Sequence, residues 1–207
     1  MEELSNYWQQ RYVSGGNSGA GSYGEEAKMK GSLINHWMKL HEMRTINEIG
    51  CGDGNNLMYY NVDISYTGYD ISERAIQICN EKTRKIKNSL KYFFTTEYDK
   101  QDFDADVCLC LDVWFHQVKD EDFEALCKNL FVDFRGKYII IYSTDTDSQF
   151  MEDGTPVAAH MRPREVLSKV AEYPQWKLKF WCSGYRDVND RLALFPSTKK
   201  FFLFERV

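Results

Sequence analysis

The sequence predicts an α/β fold, in which a doubly wound, mostly parallel sheet of seven strands carries helices on both faces. From residue 44 to residue 143, strand-like and helix-like segments alternate, which is typical of parallel strands joined by crossover helices. The segment ADVCLCLDV, 105–113, is a nearly continuous apolar run of the kind that a central parallel strand needs. Near the end of the chain, two strand-like segments follow each other without a helix between them. This last observation predicts an antiparallel C-terminal strand.

The first 43 residues are expected to form a lid and a helix, ahead of a domain that spans residues 44–207. Residues 25–43 place apolar side chains at helical spacing, and Gly31 weakens that helix. The glycine-rich stretch GGNSGAGSYG, 15–24, follows the aromatic segment NYWQQRY. Aromatic residues beside a flexible glycine run favour a helical lid that closes over a ligand. A disordered N-terminal arm is the alternative.

The other elements follow from the same periodicities. Runs of apolar, aromatic and β-branched residues predict the strands. Helical spacing, the N-cap Ser72 and an acidic first turn after residue 119 predict the helices. A short helix just before the strand at 105 is left open. The predicted strands are 44–50, 65–70, 90–96, 105–113, 137–143, 176–183 and 197–207, and the predicted helices are 55–60, 72–87, 120–131 and 163–173.

Composition places the chain among ordinary globular proteins, with 43% apolar and 28% charged residues. No apolar run reaches the roughly 20 residues of a membrane helix, and the N-terminus does not resemble a signal peptide. The six cysteines lack the C-x-x-C spacing of a zinc site. We therefore expect buried thiols, as in the run around Cys108 and Cys110, and a reducing, cytoplasmic setting. A net charge of −5 argues against a nucleic-acid partner.

The turn after the first predicted strand, EIGCGDG, is the candidate nucleotide site. Its glycines, Gly50, Gly52 and Gly54, alternate, and glycine allows positive φ and close approach of a ligand to the main chain. Asp70 ends the second strand, where a carboxylate can accept both hydroxyls of a ribose. The earlier glycine stretch has no strand before it and lacks the G-K-[ST] ending of a phosphate loop.

Two carboxylates distinguish this turn from a dinucleotide-binding one. Glu48 precedes the glycines and Asp53 lies among them, and the spacing is G-x-G-x-G rather than G-x-G-x-x-G. Carboxylates are poorly placed near a pyrophosphate. They suit a cationic ligand that carries an amino acid, such as S-adenosylmethionine with its sulfonium and ammonium groups.

The segments EIGCGDG, YTGYDIS and DVCLCLDV resemble the first, second and fourth motifs of class I S-adenosylmethionine-dependent methyltransferases. The resemblance covers nearly the whole chain and implies a Rossmann-like fold. The segments YWQQRYVSGGNSGAGSYG, LDVWFHQVKDEDFE, YIIIYS and AHMRPREV are similar to a bacterial and phage-associated group. That group includes methyltransferases of surface-polysaccharide gene clusters, among them those that make O-methyl phosphoramidate groups. The tail at 184–204 departs from the group's pattern, which puts the acceptor in doubt.

The resemblance implies S-adenosylmethionine as the cofactor and S-adenosylhomocysteine as its product. The backbone of Gly50, Cys51 and Gly52 would line the methionine part. Glu48 would fix the turn and face the ammonium through water or the turn's amides. Asp70 would hold the ribose.

The adenine is expected to pack on Ile71. Glu97 and Tyr98, just past the third strand, would meet its edge, and a solvated turn is their alternative. The remaining residues expected at the cofactor site are Trp8, Arg11, Tyr12, Ser22, Asn55, Leu111 and Asp112.

His116 is the first candidate for contact with the acceptor, because the end of the fourth strand lies beside the methyl group in this fold. It would act as a base or as a hydrogen-bond donor, and a purely structural histidine is the alternative. In the long loop after the fifth strand, His160, Arg162 and Arg164 match an H-x-R-x-R pattern of the relatives. Arginines there would converge on an anionic acceptor, and a solvated loop is the alternative.

The function predicted from sequence is methyl transfer to a small-molecule acceptor, on oxygen of an anionic phosphoryl or saccharide-linked substrate. An RNA or protein acceptor and a non-catalytic cofactor-binding module remain as alternatives. No membrane partner is expected. The acidic residues of the long loop do not fit the spacing of an EF-hand, so no metal is expected either. These residues are Asp145, Asp147, Glu152 and Asp153.

Overall fold

A computed structural model of the chain describes most of its 207 residues. The described residues are 2–60, 63–84, 91–96, 103–150, 154–183, 185–188, 191–194 and 199–207.

Nine strands form two sheets within these residues. They are β1 (Thr45–Ile49), β2 (Ser65–Tyr69), β3 (Lys91–Thr95), β4 (Val107–Leu111), β5 (Tyr138–Thr144), β6 (Trp176–Ser183), β7 (Tyr185–Val188), β8 (Arg191–Leu194) and β9 (Lys199–Arg206). Seven strands form the main sheet in the order β3-β2-β1-β4-β5-β9-β6, and β7 pairs with β8 in a separate hairpin.

The helices are α1 (Glu2–Val13), α2 (Gly24–Leu40), α3 (Glu73–Thr83), α4 (Asp120–Lys128) and α5 (Val166–Val170). Single 3₁₀ turns cover Ala20–Ser22, Asn56–Tyr59 and Trp114–His116, and a π-helical turn, Asn129–Asp133, extends α4. None of the helices in the described ranges is both long enough and apolar enough to cross a membrane.

The predicted topology is confirmed. Strands β1 to β5 pair in parallel, and β9 pairs antiparallel with both β5 and β6. Strand order reverses between β1 and β4, because β2 and β3 lie on one side of β1 and the later strands lie on the other. In open α/β sheets this reversal leaves a crevice at the carboxyl ends of the strands, where ligands bind.

Both faces of the sheet are covered. All five residues of β4 are buried, with at most 3% of their surface exposed, as the apolar run predicts. Side chains alternate between the faces along each strand. Leu109 thus belongs to the core cluster with Ile34 and Trp37 of α2, whereas Cys108 and Cys110 belong to the cluster under α4. The expectation of buried thiols is also confirmed, because all six cysteines are free and buried.

Three elements differ from the prediction. The N-terminal helical lid is present as α1, whose bounds were not predicted. The hairpin β7–β8 lies in the tail that departs from the family pattern. The last helix starts at Val166 rather than at Pro163. Its first amide groups are bound outside the helix, because Asp145 accepts the N–H of Val166 and Asp147 accepts that of Glu165.

Candidate cofactor and active site

A cavity of about 430 Å³ lies where the strand order reverses. The turn after β1, the ends of β2 and β4, one face of α4 and the N-terminal segment form its wall. Among the residues predicted for the site, ten line this wall. They are Trp8, Tyr12, Ser22, Gly50, Gly52, Asp70, Ile71, Leu111, Asp112 and His116.

The glycine turn is held tightly against β2 and the N-terminal segment. Gly50 and Gly52 have φ values of +71° and +57°, in the region that favours glycine. The N–H groups of Gly50 and Cys51 both donate to the carbonyl oxygen of Tyr69, at 2.7 and 3.0 Å. A Cβ on Gly52 would lie 2.2 Å from the Ser18 hydroxyl oxygen. The glycine pattern therefore reflects both the backbone conformation and a close approach of the N-terminal segment.

The carboxylate of Asp70 is anchored by the backbone at the cavity wall. One oxygen accepts the N–H of Gly52 and the other accepts the N–H of Ser72, both at 2.9 Å. Burial raises the pKa of Asp70 to about 6. Each carboxylate oxygen retains a further lone pair. The group can therefore accept two more hydrogen bonds, as the ribose prediction requires.

Glu48 has a different place from the predicted one, which corrects the expectation that it faces a ligand's ammonium. Because side chains alternate along β1, Glu48 points to the same face as Ile46, into the core. One carboxyl oxygen accepts the hydroxyl groups of Tyr66, at 2.7 Å, and Tyr60, at 3.3 Å. The other is buried and has no hydrogen-bond partner among the described residues. Burial raises the pKa of Glu48 to about 7.

Three other predicted cofactor residues support the wall from behind. Arg11 donates from Nε to the carbonyl oxygen of Asn17 at 2.6 Å, inside the glycine-rich stretch. Asn55 donates to the carbonyl oxygen of Ser22 at 2.6 Å. The Cys51 side chain points into the core, where a hydrogen bond with the Cys79 thiol and burial raise its pKa well above the usual value. None of the three side chains lines the cavity, so the predictions for Arg11 and Asn55 are corrected to supporting positions, whereas the role predicted for Cys51 concerns its backbone and stays a prediction.

Ser18 connects the glycine-rich stretch to the glycine turn, and sequence reasoning missed it. Its hydroxyl oxygen lies 2.9 Å from the hydroxyl of Tyr12 and accepts the N–H of Asp53 at 2.9 Å. The Asp53 carboxylate in turn accepts the hydroxyl of Tyr23. A lone side-chain hydroxyl among glycines is too common a pattern to indicate this contact. The other wall residues that were missed include Thr96, Gln117, Asp122 and Asn129.

Asp112 lies on the cavity wall and is the centre of an ion network that extends behind it. Its oxygens bind the ammonium groups of Lys30 and Lys199, both at 2.7 Å. Lys199 also pairs with Glu26 at 2.5 Å, and Glu26 accepts the hydroxyl of Tyr142 at 3.2 Å. Burial alone would raise the pKa of Asp112, but the two ammonium groups hold it below its usual value. Asp112 has a φ of +61°, which aspartate tolerates better than most residues.

His116 lies on the 3₁₀ turn after β4 and faces the cavity. Its Nδ1 lies 3.0 Å from the carbonyl oxygen of His160. Its ring stacks on the His160 ring, with 5.3 Å between centroids, and meets the Trp8 ring edge-on at 5.0 Å. Burial lowers the pKa of His116 to about 4.

Arg162 and Arg164 do not converge on the cavity, which corrects the prediction of an anion site. Both guanidinium groups bind one oxygen of Asp120, at 3.1 and 2.8 Å. Arg162 also donates to the carbonyl oxygen of Val118, and Arg164 lies over the ring of Phe123. The two arginines therefore fix the loop onto the start of α4. His160 stays near the site through its stacking on His116.

Two predicted cofactor residues, Glu97 and Tyr98, lie outside the described residues, as do Glu152 and Asp153. Within the part of the chain that the structure describes, no group of three or more histidine, cysteine or acidic side chains is arranged to hold a metal ion.

Comparison with known families identifies the core of the chain. Residues 46–132 match a family model described as a methyltransferase domain, from β1 into the π-helical turn after α4. The match covers less than half of the chain. Such domains take the methyl group from S-adenosylmethionine, so this compound is the cofactor. No curated protein matches the chain in sequence.

Solved structures share the fold of this chain at low sequence identity. Magnesium protoporphyrin IX methyltransferase from Synechocystis PCC 6803, with bound S-adenosylhomocysteine, has a TM-score of 0.63 and 14% identity over 87% of this chain and 83% of that one. The methyltransferase domain of a bacterial Hen1 has a TM-score of 0.63 and 14% identity, covering 86% and 98% of the chains. TehB from Haemophilus influenzae has a TM-score of 0.58 and 17% identity, covering 85% and 62%.

The residues around the cavity fit this cofactor. The wall presents a carboxylate with free lone pairs, Asp70, at the end of β2. Apolar side chains of Ile71 and Leu111 lie on the same wall, as a nucleoside with a flat base needs.

Proposed function

We propose that this chain transfers the methyl group of S-adenosylmethionine to an oxygen atom of a small-molecule acceptor. The observation that carries the proposal is the Asp70 carboxylate, anchored by two backbone N–H groups and facing a cavity beside the glycine turn. When bound, the cofactor supplies an activated methyl group. The chain's own residues have to bind, orient and enclose the two ligands.

The residues around the cavity divide into two groups by their position. Asp70 would accept the ribose hydroxyls, and Ile71 and Leu111 would enclose the adenine. Gly50 and Gly52 would approach the methionine part through their main chain. The wall residues on the side of the N-terminal segment and of the segment after β4 would enclose the methionine end and the acceptor. They are Trp8, Tyr12, Ser22, Asp112 and His116.

In this proposal, the N-terminal 43 residues form a lid over the cavity. Helix α1 docks on the domain through Gln9, whose side-chain oxygen accepts the hydroxyl of Ser72 and the N–H of Arg74. Ser5 donates to the carbonyl oxygen of Ile71 at 3.2 Å. These contacts hold α1 over the cavity. The helix must therefore move to admit ligands, and its return excludes water from the transferred methyl group.

The ion pairs of Arg162 and Arg164 affect which chemical class of acceptor suits the site. Arg162 and Arg164, which the sequence suggested for an anionic phosphoryl group, are already ion-paired with Asp120. Of the two acceptor classes predicted from sequence, a saccharide-linked hydroxyl therefore suits the described residues better than an anionic phosphoryl group. A small acceptor also suits a cavity roofed by α1 better than a polymer does.

Replacing Asp70 tests the proposal. Asp70→Ala removes the acceptor of the ribose hydroxyls, so the affinity for S-adenosylhomocysteine should fall by about tenfold to a hundredfold, the range expected for hydrogen bonds to a charged group. Isothermal titration calorimetry measures this affinity. Asp63→Ala, an exposed aspartate before β2, is the matched control and should bind as the wild type does. Equal affinities in the two variants, or no binding by the wild type, would overturn the proposal.

A further inference from the structure

We infer that the acceptor is an uncharged hydroxyl compound, whose O–H group donates a hydrogen bond to Nε2 of His116. The inference rests on the proposed function and names the class of acceptor for the same site. The contacts of the imidazole ring and the charges on the cavity wall carry it, each independently of the other.

The contact with His160 determines the tautomer of His116. A carbonyl oxygen can only accept a hydrogen bond, so the Nδ1 that lies 3.0 Å from the His160 oxygen must carry the proton. A backbone hydrogen bond holds the segment that carries this carbonyl. In it, the N–H of Arg162, two residues after His160, donates to the oxygen of Phe115 at 2.6 Å. Stacking of the His160 ring between Tyr7 and His116 restrains it further. With the proton on Nδ1, the neutral ring has only a lone pair at Nε2.

Nε2 is therefore the hydrogen-bond acceptor that this ring offers to a ligand. Among the described residues, no group donates to it, and the side chain lines the cavity. Burial lowers the pKa of His116 to about 4, so the lone pair stays unprotonated at neutral pH. An O–H group complements such a lone pair. The unprotonated oxygen of a phosphoryl or carboxylate group is repelled by it.

The charges on the wall favour the same class of acceptor. The charged side chains that line the described wall are carboxylates, namely Asp70, Asp112 and Asp122. The network with Lys30 and Lys199 neutralises the charge of Asp112 but leaves no excess of positive charge. An anionic acceptor would meet carboxylates and a nitrogen lone pair, and the described wall itself adds no cationic side chain to the charge of the cofactor's sulfonium. An uncharged hydroxyl compound avoids that electrostatic cost.

The hydrogen bond to Nε2 of His116 also provides a group that can accept the proton released by the reaction. The acceptor oxygen forms a bond to the methyl carbon, and the bond from that carbon to sulfur breaks with its electron pair left on sulfur. The hydroxyl proton passes to Nε2 and then to water. Because an oxygen that has gained a methyl group is strongly acidic, even a weakly basic imidazole can receive this proton.

Nitrogen NMR tests the tautomer directly. We expect ¹⁵N-histidine-labelled protein, saturated with S-adenosylhomocysteine at pH 7, to show His116 with a protonated Nδ1 and an unprotonated Nε2. The signal is assigned by its absence in His116→Phe, which keeps a ring in the stack. A protonated Nε2, or an imidazolium, would overturn the inference.

Two small compounds, phenol and phenyl phosphate, test the acceptor class on the protein saturated with S-adenosylhomocysteine. Phenol should bind at least tenfold more tightly than phenyl phosphate and should shift the Nε2 signal of His116. The preference should fall severalfold in His116→Phe but not vanish, because the wall carboxylates remain, and titration with S-adenosylhomocysteine should show that this variant still binds the cofactor product. Phenyl phosphate binding as well as phenol or better would contradict the inference alone. Failure of the wild type to bind S-adenosylhomocysteine would instead contradict the proposed function.

Discussion

Glu48 and Asp70 come from neighbouring strands, but their carboxyl groups lie in different surroundings. Glu48 lies within β1, where alternation turns it into the core beside Tyr60 and Tyr66. Asp70 follows the last residue of β2 and is directed to the cavity by the N–H groups that it accepts. The sequence shows an acidic residue near each strand end. Only the position relative to the end of the strand decides which of the two can meet a ligand.

Glu48→Gln should stabilise the fold above neutral pH. The folded pKa of about 7 lies above the ordinary value of 4.5, so the ionised form is disfavoured by folding. The contribution of the carboxyl group to stability is then full below pH 4.5 and is lost as the pH rises through 7. A pKa difference of this size corresponds to about 3 kcal/mol as an upper limit. Thermal unfolding at pH 5 and pH 8.5 should show a gain for the variant mainly at the higher pH.

The affinity of Glu48→Gln for S-adenosylhomocysteine provides the control for this prediction. Because the side chain does not line the cavity, the affinity at pH 7 should match that of the wild type. A large loss of affinity would restore the role at the ammonium that the sequence suggested. A stability gain that does not depend on pH would contradict the assignment of the raised pKa.

At the scale of elements, the N-terminal segment forms part of the cavity wall through Leu4, Trp8 and Tyr12, and we propose that it acts as a lid. Helix α1 and the glycine-rich stretch contact the domain through the rings of Tyr7 and Trp8 and through hydrogen bonds at Gln9, Ser18 and Tyr23. Such contacts are individually weak and can be broken and formed again without unfolding the domain. The glycines that appear linker-like in sequence allow the stretch to lie directly on the glycine turn.

Ser18→Ala should therefore loosen the lid without unfolding the domain. The variant loses the hydroxyl that joins Tyr12 to the N–H of Asp53, so S-adenosylhomocysteine should dissociate several times faster. Stopped-flow displacement measures the rate. Ser14→Ala, an exposed serine of the same segment, is the matched control and should leave the rate unchanged. An equal rate in both variants would mean that this contact does not hold the lid.

Element prediction was most accurate where the pattern was strongest. The seven strands of the main sheet, the parallel order and the antiparallel end were all predicted, because apolar runs and their spacing reflect burial on both faces. The hairpin β7–β8 was missed, because strands of four residues are too short to show a clear period. The sequence also could not show that Arg162 and Arg164 pair with Asp120, since these residues are more than 40 positions apart.

At the scale of the whole molecule, one ion network joins elements from both ends of the chain. Lys30 and Glu26 come from α2, Asp112 follows β4, and Lys199 begins β9. The Lys30 side chain is fully buried, so its charge depends on Asp112 for compensation. The network therefore couples the wall of the cavity to the stability of the fold.

Asp112→Asn should destabilise the protein by about 3 kcal/mol, because the buried ammonium of Lys30 then lacks its counter-charge. Asparagine keeps the positive φ acceptable, so strain adds little. The double variant Lys30→Met/Asp112→Asn should recover most of the loss, since the buried ammonium of Lys30 is gone and Lys199 keeps its pair with Glu26. The free energy of unfolding in urea measures both variants. A double variant as unstable as the single one would contradict the network's role.

The sequence by itself determined the sheet, the glycine turn and the cofactor class, because each depends on local pattern: apolar runs, alternating glycines and an acidic residue at a strand end. It also indicated Asp70 and His116. Tertiary structure alone decided which polar groups face the cavity and which are already paired. Strand parity turned Glu48 inward, Asp120 engaged both arginines, and the His160 carbonyl left His116 with a single lone pair. These outcomes depend on residues that are distant in sequence, and the spacing of residues along one chain does not encode such pairings.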